Sequence, residues 1–170
     1  NAFFPREIRR NAVRPKVALT DFLLFNEPVP IGGASPLAKA APVLDAITLK
    51  HADSVFAFEF AALSFRHPES TRFRYRLEGF DTSWIPTGAG DRKAVFTNVP
   101  AGHYRFRVAA ANDDGVWNED GVTVAVTILP PWWLTVWMKI VYALLALGAP
   151  FAFSFVRLQA YRRRQAELEA

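Results

Sequence analysis

The chain has no cysteine among its 170 residues. This excludes disulfides, thiolate metal sites and thiol nucleophiles while leaving the redox compartment open. Its N-terminus, NAFFPREIRRN, has neither an initiator methionine nor the charged-then-apolar layout of a signal peptide, and reads as part of something longer. Glycine-rich phosphate loops are missing: Gly-Ala-Gly at 88–90 lacks the lysine and the helix start that such a loop needs. No G-x-S-x-G occurs to present a serine nucleophile. The histidines, His51, His67 and His103, stand far apart, with no i, i+4 partner and no adjacent acid pattern for metal binding or base catalysis. No catalytic residue, metal ligand or cofactor site is expected, and this segment reads as a non-enzyme.

Excess charge of one sign is also nearly absent from most of the chain. The net +4 suggests a nucleic-acid or membrane partner until it is located, but residues 1–131 carry 15 Lys+Arg against 14 Asp+Glu. The surplus sits in the last 39 residues, so nucleic-acid binding loses its support. What the chain has in quantity is aromatic side chains, 14% of residues, enough to build a core from large rings.

Segments alternating with period two predict half-buried strands at 55–60, 72–78, 103–110 and 122–128. Less regular candidates lie at 17–25, 46–49 and 92–98. Seven short strands separated by Gly, Pro, Asn and Asp clusters, with no helical period between them, predict a mainly β fold, an antiparallel sandwich, which the turn before Tyr104 makes similar to immunoglobulin/fibronectin type III domains. Its core takes Phe56, Phe58, Phe60, Phe73, Tyr75, Leu77, Phe96, Tyr104, Phe106, Val108, Val124 and Val126. The stretch NVPAGHYRFRV puts Pro100 and Gly102 in a turn before Tyr104, as in the tyrosine corner of fibronectin type III domains. The acidic NDDGVWNEDG lacks the acid spacing of a calcium loop and predicts a hairpin turn on Asp114-Gly115.

Two surface features have bland and sharp readings. Trp84 and Trp117 either cap the sandwich or form a sugar-stacking platform. Arg72, Arg74 and Arg76 on one strand and Arg105 and Arg107 on another share an outer face if the strands are neighbours. Like charges opposite one another repel, so they need acids, solvent screening, or an acidic partner surface that docks there.

Long hydrophobic runs are confined to one place. Ile140–Val156 has 17 residues and no charge, and if Lys139 snorkels the apolar reach extends back to Trp132. That length spans a bilayer core, which needs about 20 apolar residues, and nine strongly apolar ones contribute roughly −3 to −5 kcal/mol of insertion free energy. Trp132, Trp133 and Trp137 flank one side, and Arg157, Arg162, Arg163 and Arg164 the other, which places the C-terminus in the cytoplasm. Pro130 and Pro131 stop the last strand and make a stiff joint before the helix. After it, Leu158, Tyr161, Gln165 and Leu168 fit either the start of a dimerising heptad seam or a solvated helix.

FFPREIRRN, VALTDFLLFNEPV, ITLKHADSVFAFEFAALSF, RYRLEGFDTSW, FTNVPAGHYRFRVAAANDDGVWNE and ILPPWWLTVW, in this order, resemble the three-tyrosine domain of bacterial two-component-regulator propeller sensors. Tyr75 and Tyr104 match two of the naming tyrosines, while the middle one is Phe96 here. The resemblance implies the tail of a propeller segment at 1–14, a periplasmic fibronectin-like domain at 15–131, a transmembrane helix at 132–156 and a cytoplasmic juxtamembrane helix at 157–170. It implies a single-pass protein of the bacterial inner membrane that relays ligand state from its own propeller to a histidine kinase or diguanylate cyclase. The expected partners are that propeller, a second copy and the bilayer, with an oligosaccharide or other small molecule bound elsewhere. The rival reading is a membrane-anchored carbohydrate-binding module.

Overall fold

A computed structural model describes residues 11–33, 35–63 and 68–168, with side chains omitted at 152, 154, 156 and 158–168. Nine strands appear among the described residues: β1 (Lys16–Leu24), β2 (Glu27–Pro28), β3 (Ala46–Leu49), β4 (Val55–Leu63), β5 (Arg72–Glu78), β6 (Ile85–Gly88), β7 (Lys93–Thr97), β8 (Gly102–Ala111) and β9 (Trp117–Ile128). They form two sheets, ordered β2-β1-β4-β7 and β3-β9-β8-β5-β6. All seven expected strands are present, so the sandwich is borne out.

Two strands go beyond the alternation pattern. β2 arises because Phe25 and Asn26 both take positive φ, 50° and 70°, the geometry of a two-residue hairpin turn. The expected strand at 17–25 therefore ends at Leu24. β6 carries Pro86 and pairs only with β5, an edge position where a missing N–H costs no ladder bond.

One correction concerns direction: β3 pairs with β9 in parallel, so the second sheet is mixed rather than antiparallel. Alternation identifies a strand but carries no information about the direction of an edge strand.

The sheets meet over rings. Phe22, Phe56, Phe58 and Phe60 face Phe73 and Phe106, with Phe58 stacked on Phe106 at 4.3 Å and 14°. Phe96 meets Phe106 edge-on at 5.9 Å. Such pairs each add about 0.5–1.5 kcal/mol beyond the area they bury. Ten of the twelve expected core residues are buried; Tyr75 and Tyr104 are only half-buried, at the rim, because their hydroxyls need polar surroundings.

Asn112 and Val116 close the β8–β9 hairpin, with Gly115 at φ 77°, so the acidic stretch is a turn. β9 begins at Trp117, five residues earlier than its regular alternation indicates. Between Val108 and Ala110 the register advances two residues on β8 and four on β9, a bulge that hides the period.

The chain divides into two compact units, 1–129 and 130–170. In the second, Trp132–Leu134 form a 3-10 turn, and α1 (Val136–Leu168) follows without a break at 157 and with Pro150 inside it. The helix thus starts at Val136, after a 3-10 turn, and runs on through the segment expected to be helical beyond 156. Thr135 Oγ1 and the Thr135 and Leu134 amides hold the turn, since Pro130 and Pro131 supply no N–H. Among the described residues, no helix is long and apolar enough to cross a membrane.

Candidate functional site

The outer face of the five-stranded sheet is built by β5 and β8, which pair antiparallel with Arg76 directly opposite Arg107 and Glu78 opposite Arg105. Alternation sends Phe73 and Leu77 inward and Arg74, Arg76 and Glu78 outward. Two like charges facing one another are destabilising unless something lies between them. Here Glu78 does: its carboxylate accepts from Arg76 at 2.5 Å and from Arg107 at 3.1 Å, and lies 3.8 Å from Arg105.

Burial pushes the Glu78 carboxyl upward, but hydrogen bonds from Arg107 and Arg76, and their charges, outweigh this and hold it below the usual carboxylate range. A depressed folded-state value stabilises the fold above the unfolded pKa, and this contribution is lost as pH falls through the folded value. Glu78→Gln is therefore expected to lower stability at pH 7 and to flatten its fall below about pH 4. Parallel melting curves for the two proteins from pH 7 to pH 3 would contradict this.

The tryptophans complete the array. Arg74 lies 4.3 Å from the centre of Trp117 and 4.9 Å from that of Trp84, and its guanidinium donates to Glu119 at 2.7 Å. Arg76 and Arg107 also approach Trp84, at 4.7 and 5.6 Å. Each such contact contributes about 0.5–1 kcal/mol at an exposed site. Of the five expected docking arginines, Arg74, Arg76 and Arg107 are thus held by rings and acids, while Arg72 and Arg105 remain exposed. A sugar stacking on Trp84 or Trp117 would compete with Arg74 for the ring faces.

The second cluster lies at the end of β8. Tyr104 Oη donates to Pro100 O at 3.0 Å, closing the corner between β7 and β8. Its ring is pressed between two glycines. A Cβ at Gly102 would lie 3.2 Å from the hydroxyl, and one at Gly79, whose φ is 95°, 3.1 Å from the ring edge. Tyr75 does not touch this corner; its ring meets Phe96 edge-on at 6.1 Å and lies 6.1 Å from Phe60. Burial, with Asp91 and Asp81 adding to it, raises the Tyr75 phenol pKa. The three positions therefore perform two tasks: Tyr75 and Phe96 bridge the sheets, and Tyr104 pins a turn.

His51 and His103 are exposed, His103 bonding Thr127 at 3.1 Å, and His67 lies outside the described residues. Among the described residues no three metal-ligating side chains converge. Trp132, Trp133 and Trp137 are exposed, as is Arg157; the side chains of Arg162, Arg163 and Arg164, and of the expected seam at Leu158, Tyr161, Gln165 and Leu168, lie outside the described residues.

Sequence reasoning missed Glu119, Asn112 and Asn118. Glu119 would have been legible as the outward neighbour of Trp117 had β9 been started there. Asn112 and Asn118 carry no local signal, because their partners lie about a hundred residues away in the chain.

The Y_Y_Y domain model matches residues 64–129. A protein of Formosa agariphila described as Histidine kinase P4 is 34% identical over 171 residues, which is 99% of this chain and 12% of that protein. Among solved structures, two of the extracellular domain of BT4673 from B. thetaiotaomicron are 24% identical, with TM-scores of 0.63 and 0.59. They cover 71% and 70% of this chain and 16% of each structure, and are described as a one-component and a hybrid two-component system. The extracellular domain of BT3049 from the same organism, described as a hybrid two-component system, is 23% identical with a TM-score of 0.53, covering 69% and 16%.

Proposed function

We propose that the chain, whose residues 64–129 match the Y_Y_Y domain model, is the extracytoplasmic coupling segment of a bacterial sensor kinase. The observation that carries the reading is the 34% identity to a histidine kinase along nearly the whole chain. The chain spans about 12% of that relative, so catalysis belongs to other parts of such a protein. Kinase output has this support; the expected diguanylate cyclase alternative has none among these relatives.

A coupler must pass a small displacement without absorbing it, and a packed sandwich is suited to this because its interior is dense and resists compression. Its last strand leads into Pro130-Pro131, and two fixed φ angles keep the joint stiff. The ligand-sensing propeller and a second copy are the partners this reading requires, and Arg72 and Arg105, the latter 3.8 Å from Glu78, are the exposed arginines of that face.

In the same reading α1 inserts in the bilayer. Trp137, Leu144, Leu147 and Phe151 are exposed at 65–79%, and the stretch of the helix from 140 to 156 carries no charged residue. Among the described residues no helix meets the length and apolarity of a span; the support is the charge-free run Ile140–Val156 in the sequence. Single cysteines test the topology in cells, with other cysteines of the complete protein replaced. Gly88→Cys, in open space, should react with an impermeant maleimide, and Glu169→Cys only after lysis. Labelling of both, or the reverse pattern, overturns the insertion.

Inserting Gly-Ser-Gly-Ser after Pro131 in the complete sensor tests the coupling. Kinase autophosphorylation in membrane vesicles should move to a level that no longer depends on the part upstream of Asn1. Output identical to the parent protein would sink the proposal.

A further inference from the structure

The chain enters the sandwich through residues 11–15, which form no strand, yet this segment is fastened at three carbonyls. Asn112, only 3% exposed, donates from Nδ2 to Val13 O at 3.0 Å and to Asn11 O. Asn118 Nδ2 donates to Pro15 O at 2.9 Å. The Asn11 amide in turn donates to Asp114 in the same hairpin.

A buried side-chain amide placed on a strap of backbone carbonyls is costly unless all its groups are paired. Here they are: Asn112 Oδ1 accepts from Val116 N at 2.8 Å, so the residue that builds the hairpin also holds the entering chain. The second anchor, Asn118, is the second residue of β9. That strand runs 12 residues, ~40 Å at strand rise, to Ile128. At its far end β3 holds it, through Ala125 N to Asp45 O and Leu129 N to Leu49 O, both 2.9 Å. Pro130 follows directly.

We infer that Asn112 and Asn118 form a clamp that ties the entering chain to the start of β9, making β9 the load path from chain entry to the exit joint. This rests on the coupling reading above and adds to it the path and the residues. The entering segment is held where β9 begins: Pro15 O by Asn118 on β9 itself, and Asn11 O and Val13 O by Asn112, to which the Val116 N–H donates just before the strand starts.

Asn112→Asp with Asn118→Asp tests this in the complete sensor. Aspartate keeps the acceptor for Val116 N but removes both donors and sets a carboxylate against carbonyls. Hydrogen exchange at Asn11 and Val13 should accelerate at least tenfold while β4 and β8 keep their protection; unchanged exchange at 11–13 overturns the clamp.

Autophosphorylation, with ATP as the probe, is then compared between the parent, the Asp pair, the insertion after Pro131, and their combination. If β9 is the path, breaking its entry and its exit gives the same level, and the combination adds nothing. Parental output from the Asp pair beside a shifted insertion variant overturns the load path alone. Parental output from the insertion variant overturns the coupling reading, and the path with it.

Discussion

Phe106→Ala is expected to destabilise the sandwich by about 3–5 kcal/mol. Phe106 is fully buried and is where the two sheets meet. It is stacked on Phe58 at 4.3 Å, edge-on to Phe96 at 5.9 Å, and 6.4 Å from Tyr75. Truncation removes the transfer free energy of one ring and leaves a void lined by three others, each carried by a strand paired into a sheet. Collapse into that void would require the sheets to approach one another, which the surrounding core prevents.

A single domain is stable by about 5–15 kcal/mol, so this one change removes a large share. The midpoint of thermal unfolding of the 1–129 unit should fall by roughly 10–20 °C. Phe106→Leu, which refills most of the volume, should cost under about half as much. A loss below about 1 kcal/mol for the alanine variant would mean that the stack does not hold the sheets together.

Gly121→Ala is expected to cost about 2–5 kcal/mol, although it adds a single methyl group. Two effects combine. The backbone there has φ 47°, where an L side chain costs ~1–2 kcal/mol. A Cβ would also lie 2.1 Å from the Val108 carbonyl oxygen and 3.0 Å from its carbon. Neither atom is the end of a flexible side chain, so the β8–β9 ladder itself must move, adding about 1–3 kcal/mol. Gly88→Ala and Gly90→Ala meet nothing within 4 Å and serve as controls, with changes within about 0.5 kcal/mol. Equal denaturation midpoints for Gly121→Ala and Gly88→Ala would refute the account. Because Gly121 sits in the middle of β9, the same variant should also disturb output from the complete sensor.

The two substitutions mark different levels of legibility. Phe106 is readable from HYRFRVAA alone, because period-two alternation assigns every second side chain to the core whatever the partner strand is. Gly121 is not: one glycine in an acidic stretch looks like turn chemistry, and only the two-residue surplus on β9 opposite Ala109 shows why no side chain fits. The tyrosine corner falls between them. Pro100, Gly102 and Tyr104 were legible as a local pattern, whereas Gly79, which walls the ring from the other side, comes from a distant turn.

By itself the sequence determined the seven main strands, the ring-filled core, the hairpin at Asp114-Gly115 and the neutrality of the domain. All of these follow from local spacing or from counting, and local spacing decides which side chains can be buried together. Tertiary structure alone decided the parallel pairing of β3, the sharing of Glu78 by three arginines, the intercalation of Arg74 with Trp84 and Trp117, and the capture of residues 11–15 by Asn112 and Asn118. In each case the partners lie on different strands or far apart in the chain, and register and sheet order, set by the whole core at once, bring them within reach of a hydrogen bond or a ring face.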